Sequence, residues 1–374
     1  MPPLAHRNLF RDKVRLAVTL TGIVFAVVLI VVQMGLFIGF TKTTSGLIDH
    51  SGADLWVVPK HMAYLEATAP FSERKLYRVL STPGVAAAEK YVVRLSDWQR
   101  PDGGDVGIQV VGVNPDSPFR PVWNVVAGTV DDLKMPDAVF IDELYAEKLG
   151  VTHRGQLFEI RGHRARVVGL TRGIRAFTTT PYVFTTFKNA QIYTGLRPDQ
   201  TLFILVKAAT DADLQAVKRD LARRLDDVDI FTTSEFSNKI RFYWMFSTGA
   251  GIAVLLAAFL GLVVGVVVVA QTIYATTVDH LREFGTLKAM GASNRYVYRV
   301  IIQQAAISAV LGYVLGMVVS LAVVHGTQHG GAAILLPWSL AVTMFGLTLL
   351  MCVIAAMVSI NKVTHLDPAL VFKG

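Results

Sequence analysis

The sequence predicts an α-helical membrane domain of four transmembrane helices plus a large α+β extracytoplasmic domain inserted between the first and second helices. Three observations predict this. Residues 16–40, 242–278 and 300–361 contain no Asp, Glu, Lys or Arg. Lys and Arg are shared unevenly between the two ends of those runs. About 200 residues of ordinary polarity separate the first run from the second, enough for one sizeable core or two small ones. The chain is 52% hydrophobic and 17% charged, against about 25% charged in an ordinary soluble domain, and the deficit lies in the three runs. About 20 apolar residues cross a bilayer as a helix, and a soluble core helix needs no run of this length.

The elements follow in order. Residues 1–15 carry Arg7, Arg11, Lys13 and Arg15 and read as a cytoplasmic amphipathic N-terminus. Residues 16–40 form the first transmembrane helix. Its apolar core exceeds the roughly 7–15 residues of a secretory signal, so an uncleaved anchor is expected. Residues 41–243 form the extracytoplasmic domain. Runs rich in Val, Ile, Phe and Tyr, bounded by Gly, Pro, Asn or Asp, predict strands at 54–58, 88–94, 106–113, 138–141, 157–160, 165–170, 182–185 and 202–207. Helices are predicted at 72–80, 143–149 and 211–225; in the last, Leu214, Val217, Leu221 and Leu225 share one face. The segment 234–246, SEFSNKIRFYWMF, predicts a stalk helix capped by Ser234 that runs into the next span, or an interfacial belt of Phe242, Tyr243 and Trp244, or both.

The second helix is expected at 244–272 and a cytoplasmic segment at 273–299. The long third run divides at Gly326, Gly330, Gly331 and Pro337, which mark a short outside loop at 325–336 between helices at 300–324 and 337–361. A cytoplasmic tail, 362–374, closes the chain. Orientation follows the basic residues: Arg282, Lys288, Arg295 and Arg299 lie in the 273–299 segment, Lys362 and Lys373 lie in the tail, and none lies in 325–336. The net charge of +8 therefore reads as topology and contact with anionic membrane lipids, and nucleic acid is not a partner it points to.

The runs lack the ionisable groups that ion-coupled carriers place at membrane depth. Gln33, Gln303 and Gln304 remain, read as interhelical hydrogen-bonding groups. Cys352 is the sole cysteine, which excludes a disulfide framework. His325 and His329 are four apart but have no acidic neighbour and read as loop residues. No catalytic residues, no metal site and no bound cofactor are expected. Three glycine pairs at i and i+4, Gly35/Gly39, Gly261/Gly265 and Gly312/Gly316, open grooves for close helix packing. With only four spans per chain, a homodimer is expected.

The segment 279–296 holds the most informative pattern. Leu281, Phe284, Leu287 and Met290 recur every third residue, Arg282, Glu283 and Lys288 lie off that face, and Gly291 is placed to end a helix. Such a helix either lies on the lipid surface or inserts apolar knobs into a cytoplasmic partner.

This segment, EFGTLKAMGASN, resembles the signature of the FtsX/MacB permease family, which reads roughly E-x-G-x-L-[KR]-A-[LIM]-G-A-S. The basic lead 5–24, the turn Pro83-Gly84-Val85 and the tail Leu366-Asp367-Pro368-Ala369-Leu370 resemble the same family, and VDHLREFGTLKAMG with the early ADLWV is most similar to its DevC-like branch. The resemblance implies an ABC transporter permease, FtsX-like in its spans and MacB-like in its periplasmic core domain. It would sit in the inner (cytoplasmic) membrane, multi-pass, with the large domain in the periplasm. It implies mechanotransmission: a separate cytoplasmic ABC ATPase dimer, which binds ATP and Mg, moves the spans and thereby the outside domain. Leu281, Glu283, Phe284, Gly285, Leu287, Lys288, Met290 and Gly291 would couple to that ATPase. The implied partners are a second permease copy, a periplasmic adaptor protein and an outer-membrane channel, and the implied cargo is a lipid, glycolipid or other hydrophobic molecule. Two other readings share the plan: a force-transmitting regulator of an extracytoplasmic hydrolase, and a lipoprotein-extracting permease. The chain contains no G-x-x-x-x-G-K-[ST], so it departs from the MacB proteins, which carry a fused ATPase.

Overall fold

The computed structural model describes residues 13–66, 68–119, 121–279, 294–327 and 333–364. They form two compact units: one of apolar helices, the other spanning 40–250.

In the helical unit four helices are long and apolar enough to cross a membrane. They are Lys13–Thr44, Ala250–Asp279, Asn294–Gly326 and Trp338–Thr364. Their interior is built on a stripe of the first helix, Ile23, Ala26, Val27, Ile30 and Val31, at spacings of three and four. Val269, Ile273, Ile301, Ala305, Met344, Cys352 and Ala355 complete it. The second helix starts at Ala250, later than residue 244. Thr248 leaves the helix and Gly249 adopts φ +79°, a left-handed conformation that glycine enters without strain. Tyr313 donates its hydroxyl to the Ala341 carbonyl at 2.9 Å, joining the third and fourth helices. Gln304 is buried, and its amide nitrogen finds no partner among the described residues.

The second unit is a mixed sheet with helices on its faces. Its strands are β1 (Leu55–Pro59), β2 (Phe71–Ser72), β3 (Val85–Gln99), β4 (Asp105–Val113), β5 (Val125–Ala127), β6 (Ala138–Asp142), β7 (Leu157–Ile160), β8 (His163–Thr171), β9 (Tyr182–Thr186), β10 (Gln200–Thr201), β11 (Phe203–Ala208) and β12 (Val228–Thr232). The order is β12-β1-β11-β3-β4-β9-β6-β8-β5, with β7 against β3 and β8, and β10 paired with β2 apart. β3 joins two lobes: Val85–Tyr91 pair with β11, and Val92–Gln99 pair with β4. Most pairs are antiparallel, but β4–β9 and β6–β8 run parallel.

Alternation along β1 divides the interior in two. Leu55 and Val57 face a core made with Ile204, Val206, Val217, Leu221 and Ile230. Trp56 and Val58 face the larger core of Tyr91, Trp98, Phe140, Phe184, Phe203 and Phe236. Trp98 is fully buried and donates its indole N–H to the Leu149 carbonyl at 3.0 Å.

The elements differ from expectation where tertiary pairing outweighs local pattern. The helix predicted from residue 72 begins at Lys75, because Phe71 and Ser72 pair with β10. The helix predicted at 143–149 is a 3-10 turn, Glu143–Tyr145, followed by one α turn, Ala146–Leu149. β5, β12 and the helix Phe187–Thr194 were not expected at all. The stalk helix is Thr233–Phe242, and its cap is Thr232 instead of Ser234. Thr232 accepts from the Glu235 N–H at 3.2 Å while Glu235 accepts from the Thr232 N–H at 2.8 Å, a reciprocal capping box.

Candidate functional site: glycine seams and the base of the outer domain

The residues expected to couple to an ATPase, Leu281, Glu283, Phe284, Gly285, Leu287, Lys288, Met290 and Gly291, lie outside the described residues. The helices that flank them end at Asp279 and begin at Asn294.

The glycines expected to pack helices lie in the helical unit. A Cβ at Gly261 would stand 2.8 Å from Leu29, and one at Gly265 would stand 2.6 Å from Ala26 and 2.8 Å from the Met351 sulfur. At Gly312 it would fall inside the Ile23 side chain, and at Gly316 it would stand 2.8 Å from Val27. Real Cβ atoms essentially never come so close, so a side chain at any of these positions makes a neighbour shift: the flexible end of Leu29 at Gly261, and Cβ atoms fixed to the first helix at Gly265, Gly312 and Gly316. Gly35 serves differently. Its carbonyl accepts the Leu335 N–H at 3.1 Å, and a Cβ there would stand 2.9 Å from the Leu335 oxygen. Gly39 is buried in the first helix. Sequence reasoning missed Gly22, where a Cβ would fall inside Val268. The neighbours of Gly261, Gly265, Gly312 and Gly316 are all in this same chain, most on the first span.

A second cluster gathers where the outer domain begins and ends. The short helix Gly46–Asp49 follows the first span, and Thr233–Phe242 precedes the second. Arg241 reaches across with Nη2 2.6 Å from Asp49 Oδ2 and Nε 2.8 Å from Ser45 Oγ. Ser237 donates to Asp49 Oδ1 at 2.5 Å, and Ser45 donates to Asp49 Oδ2 at 2.7 Å. Both Asp49 oxygens are thus bonded, and the ion pair is about one-third exposed. Aromatic rings continue the junction. Phe40 meets Phe177 edge-on at 4.8 Å, Phe177 lies 5.0 Å from Trp244, and Tyr64 stacks on Tyr243 at 5.2 Å. The expected belt of Phe242, Tyr243 and Trp244 divides accordingly: Tyr243 and Trp244 pack within the domain, and Phe242 is 62% exposed. Asp49 and Arg241 escaped sequence reasoning because 192 positions separate them. Their only signal was opposite charge a few residues from two span ends.

Among the described residues no group of three His, Cys, Asp or Glu side chains could hold a metal. The cluster is built from an ion pair, hydroxyl hydrogen bonds and ring contacts.

Residues 16–224 match the family model of the MacB-like periplasmic core domain, and residues 255–368 match that of the FtsX-like permease C-terminal region. The chain belongs to the FtsX/MacB family of ABC transporter permeases. Curated relatives agree with this membership over the full length. An uncharacterized ABC transporter permease of Mycobacterium tuberculosis (strain ATCC 25618 / H37Rv) is 25% identical over 99% of this chain and 99% of its own. One of Mycobacterium bovis is 24% identical over 96% of this chain and 95% of its own. Among solved structures, the extracellular domain of the noncanonic ABC-type transporter YknZ from Gram-positive bacteria is 17% identical, covers 48% of this chain and 99% of its own, with a TM-score of 0.36. The periplasmic region of MacB from Actinobacillus actinomycetemcomitans is 12% identical, covers 52% and 95%, with a TM-score of 0.39.

Proposed function

We propose that this permease transmits force. A separate cytoplasmic ABC ATPase dimer, with ATP and Mg, moves the spans of a homodimer, and the outer domains move in response. The observation that supports this reading most is the Asp49–Arg241 junction. It ties the end of the first span's continuation to the helix that leads into the second, so displacement of either strand of chain enters the domain at one place. The cargo we propose is a lipid, glycolipid or other hydrophobic molecule, exported from the inner membrane with a periplasmic adaptor and an outer-membrane channel, as in the DevC-like branch.

Co-purification in mild detergent, with the bound chains identified, tests the partner set. Recovery of an ATPase with an adaptor supports export; recovery of a hydrolase in place of an adaptor overturns it. Phe284→Ala/Leu287→Ala tests the coupling residues, since truncating buried apolar anchors costs about 1–4 kcal/mol at an interface. The double variant should insert normally and lose the ATPase or its coupled turnover; full retention of both ends the assignment. Ser81→Cys and Ser293→Cys, each in a Cys352→Ala background, should react with an impermeant reagent from opposite sides.

A further inference from the structure

The first and second spans meet along a seam of close contacts. A Cβ at Gly261 would stand 2.8 Å from Leu29, one at Gly265 2.6 Å from Ala26, and one at Gly22 2.3 Å from Val268. The contacts step along both helices by three or four residues, with Gly22 and Val268 at the end nearest Lys13. From there toward Lys13 lies a groove of about 730 Å³. Val14, Ala17, Val18 and Thr21 line it, with Phe25 and Val268 at the seam end. On the first helix these positions recur at spacings of three and four, so they share one face. Val14, Val18 and Phe25 are 74%, 54% and 55% exposed. The Thr21 hydroxyl donates to the Ala17 carbonyl at 2.8 Å, so it asks nothing of an occupant. Lys13 is the charged member of the lining, and it is exposed.

We propose that this groove binds one anionic phospholipid, with an acyl chain laid along the first span and the phosphate held by Lys13. Length supports this occupant. The first span begins at Leu16, so Lys13 stands just outside the apolar run, at the level of lipid headgroups. At about 1.5 Å per residue, Phe25 lies roughly 14 Å further in than Leu16. Half of a hydrocarbon core about 30 Å thick is about 15 Å, so the groove spans one leaflet and ends near the bilayer middle. An extended peptide or a soluble ligand would leave its polar groups unpaired along such a lining, whereas an acyl chain has none.

Charge selects the headgroup. A lysine near a helix end lays its methylene stem along apolar surface and carries its ammonium to the headgroup level. The residues leading up to it add Arg7 and Arg11 against the single Asp12. Basic residues beside a span attract anionic lipid, and a groove that fixes the acyl chain turns that diffuse attraction into a site. A second copy seated on this face by two-fold symmetry would instead bring Lys13 toward its own like charge. The site lies on the side of the bilayer that the basic N-terminus faces, and it does not rest on the transport reading.

Native mass spectrometry of the full chain tests this without any ATPase or cargo. The delipidated chain in detergent micelles is titrated with phosphatidylglycerol or with phosphatidylcholine of the same acyl chains. One phosphatidylglycerol per chain should be retained, at least about tenfold more tightly than phosphatidylcholine. Equal retention of the two lipids overturns the site and leaves only ordinary boundary lipid, a result that needs no variant to fold. Lys13→Gln should lower the preference about fivefold, and an unchanged preference overturns the role of Lys13. Ala17→Leu fills the groove and should abolish retention of the single lipid. Gly346→Leu, in open space on the fourth helix, should leave it intact. If Ala17→Leu spares lipid retention and instead breaks a dimer of this chain, the groove seats a second copy and the lipid proposal fails.

Discussion

The two units solve the same packing problem in different solvents. In the outer domain the largest side chains are hidden: Trp56, Trp98, Tyr91, Phe140 and Phe184 are fully buried, as water demands. In the helical unit the order is reversed. Leu256, Phe259, Leu260, Val318 and Leu321 are more than half exposed, while the close contacts are made by glycines and Ala26. Lipid tails are as apolar as leucine, so burying leucine between spans gains little; close backbone approach and dispersion gain more. The comparison teaches that a large residue stabilises one half of this chain by being buried, and a missing one stabilises the other half.

The sharpest test of the outer half is Phe140→Ala. Phe140 fills space that Gly169 leaves, since a Cβ at Gly169 would fall inside its ring. The cost should be about 3–5 kcal/mol, read as a lowered thermal midpoint of the outer domain with the spans still inserted. The matching test of the helical half adds volume. Gly312→Leu overpacks the seam with Ile23 and should cost about 1–3 kcal/mol or more in detergent unfolding. Gly346→Leu is its control, because nothing lies within 4 Å of a Cβ there. Equal loss in both would break the comparison.

A smaller effect is expected at the junction. Arg241→Ala and Asp49→Ala, closed into a double-mutant cycle, should give a coupling of about 1 kcal/mol, because the pair is about one-third exposed. Zero coupling would remove the junction from the mechanism. The smallest effect concerns pH. A hydrogen bond from Lys218, then the Thr232 backbone N–H, holds the Glu235 carboxyl below its ordinary range. A depressed folded value gives stability that is present above the unfolded value and is lost as pH falls through the folded one. Glu235→Gln should therefore flatten the acid limb of the stability curve by less than about 1 kcal/mol, since Lys218 and Glu235 stand near the surface.

The helices of the membrane unit were legible because lipid leaves a local signature: an uncharged run must be long enough, and its ends must carry the right charge. The strands at 157–160 and 182–186 were legible for a related reason, being apolar runs between turn residues. β5 and β12 were not. β12 reads VDIFT, short and half polar, and becomes a strand because Val228 to Thr232 find β1 at its edge. The cap at Thr232 was passed over for Ser234, although T-x-x-E stood in the sequence, because two neighbouring hydroxyls compete for one role and the reciprocal bond to Glu235 decides it.

By itself, the sequence determined the four spans, the α+β character of the insertion and the family. These depend on composition within windows of about 20 residues or on motifs shorter than that. Tertiary structure alone decided which helix the glycines serve and that Asp49 meets Arg241. Each of these is a contact between positions far apart in the chain. Spacing along a helix says which face a glycine opens, but it does not say what fills the groove. Here the first span fills it, because Ile23, Ala26, Val27 and Leu29 stand where a side chain on the neighbouring helices would otherwise lie.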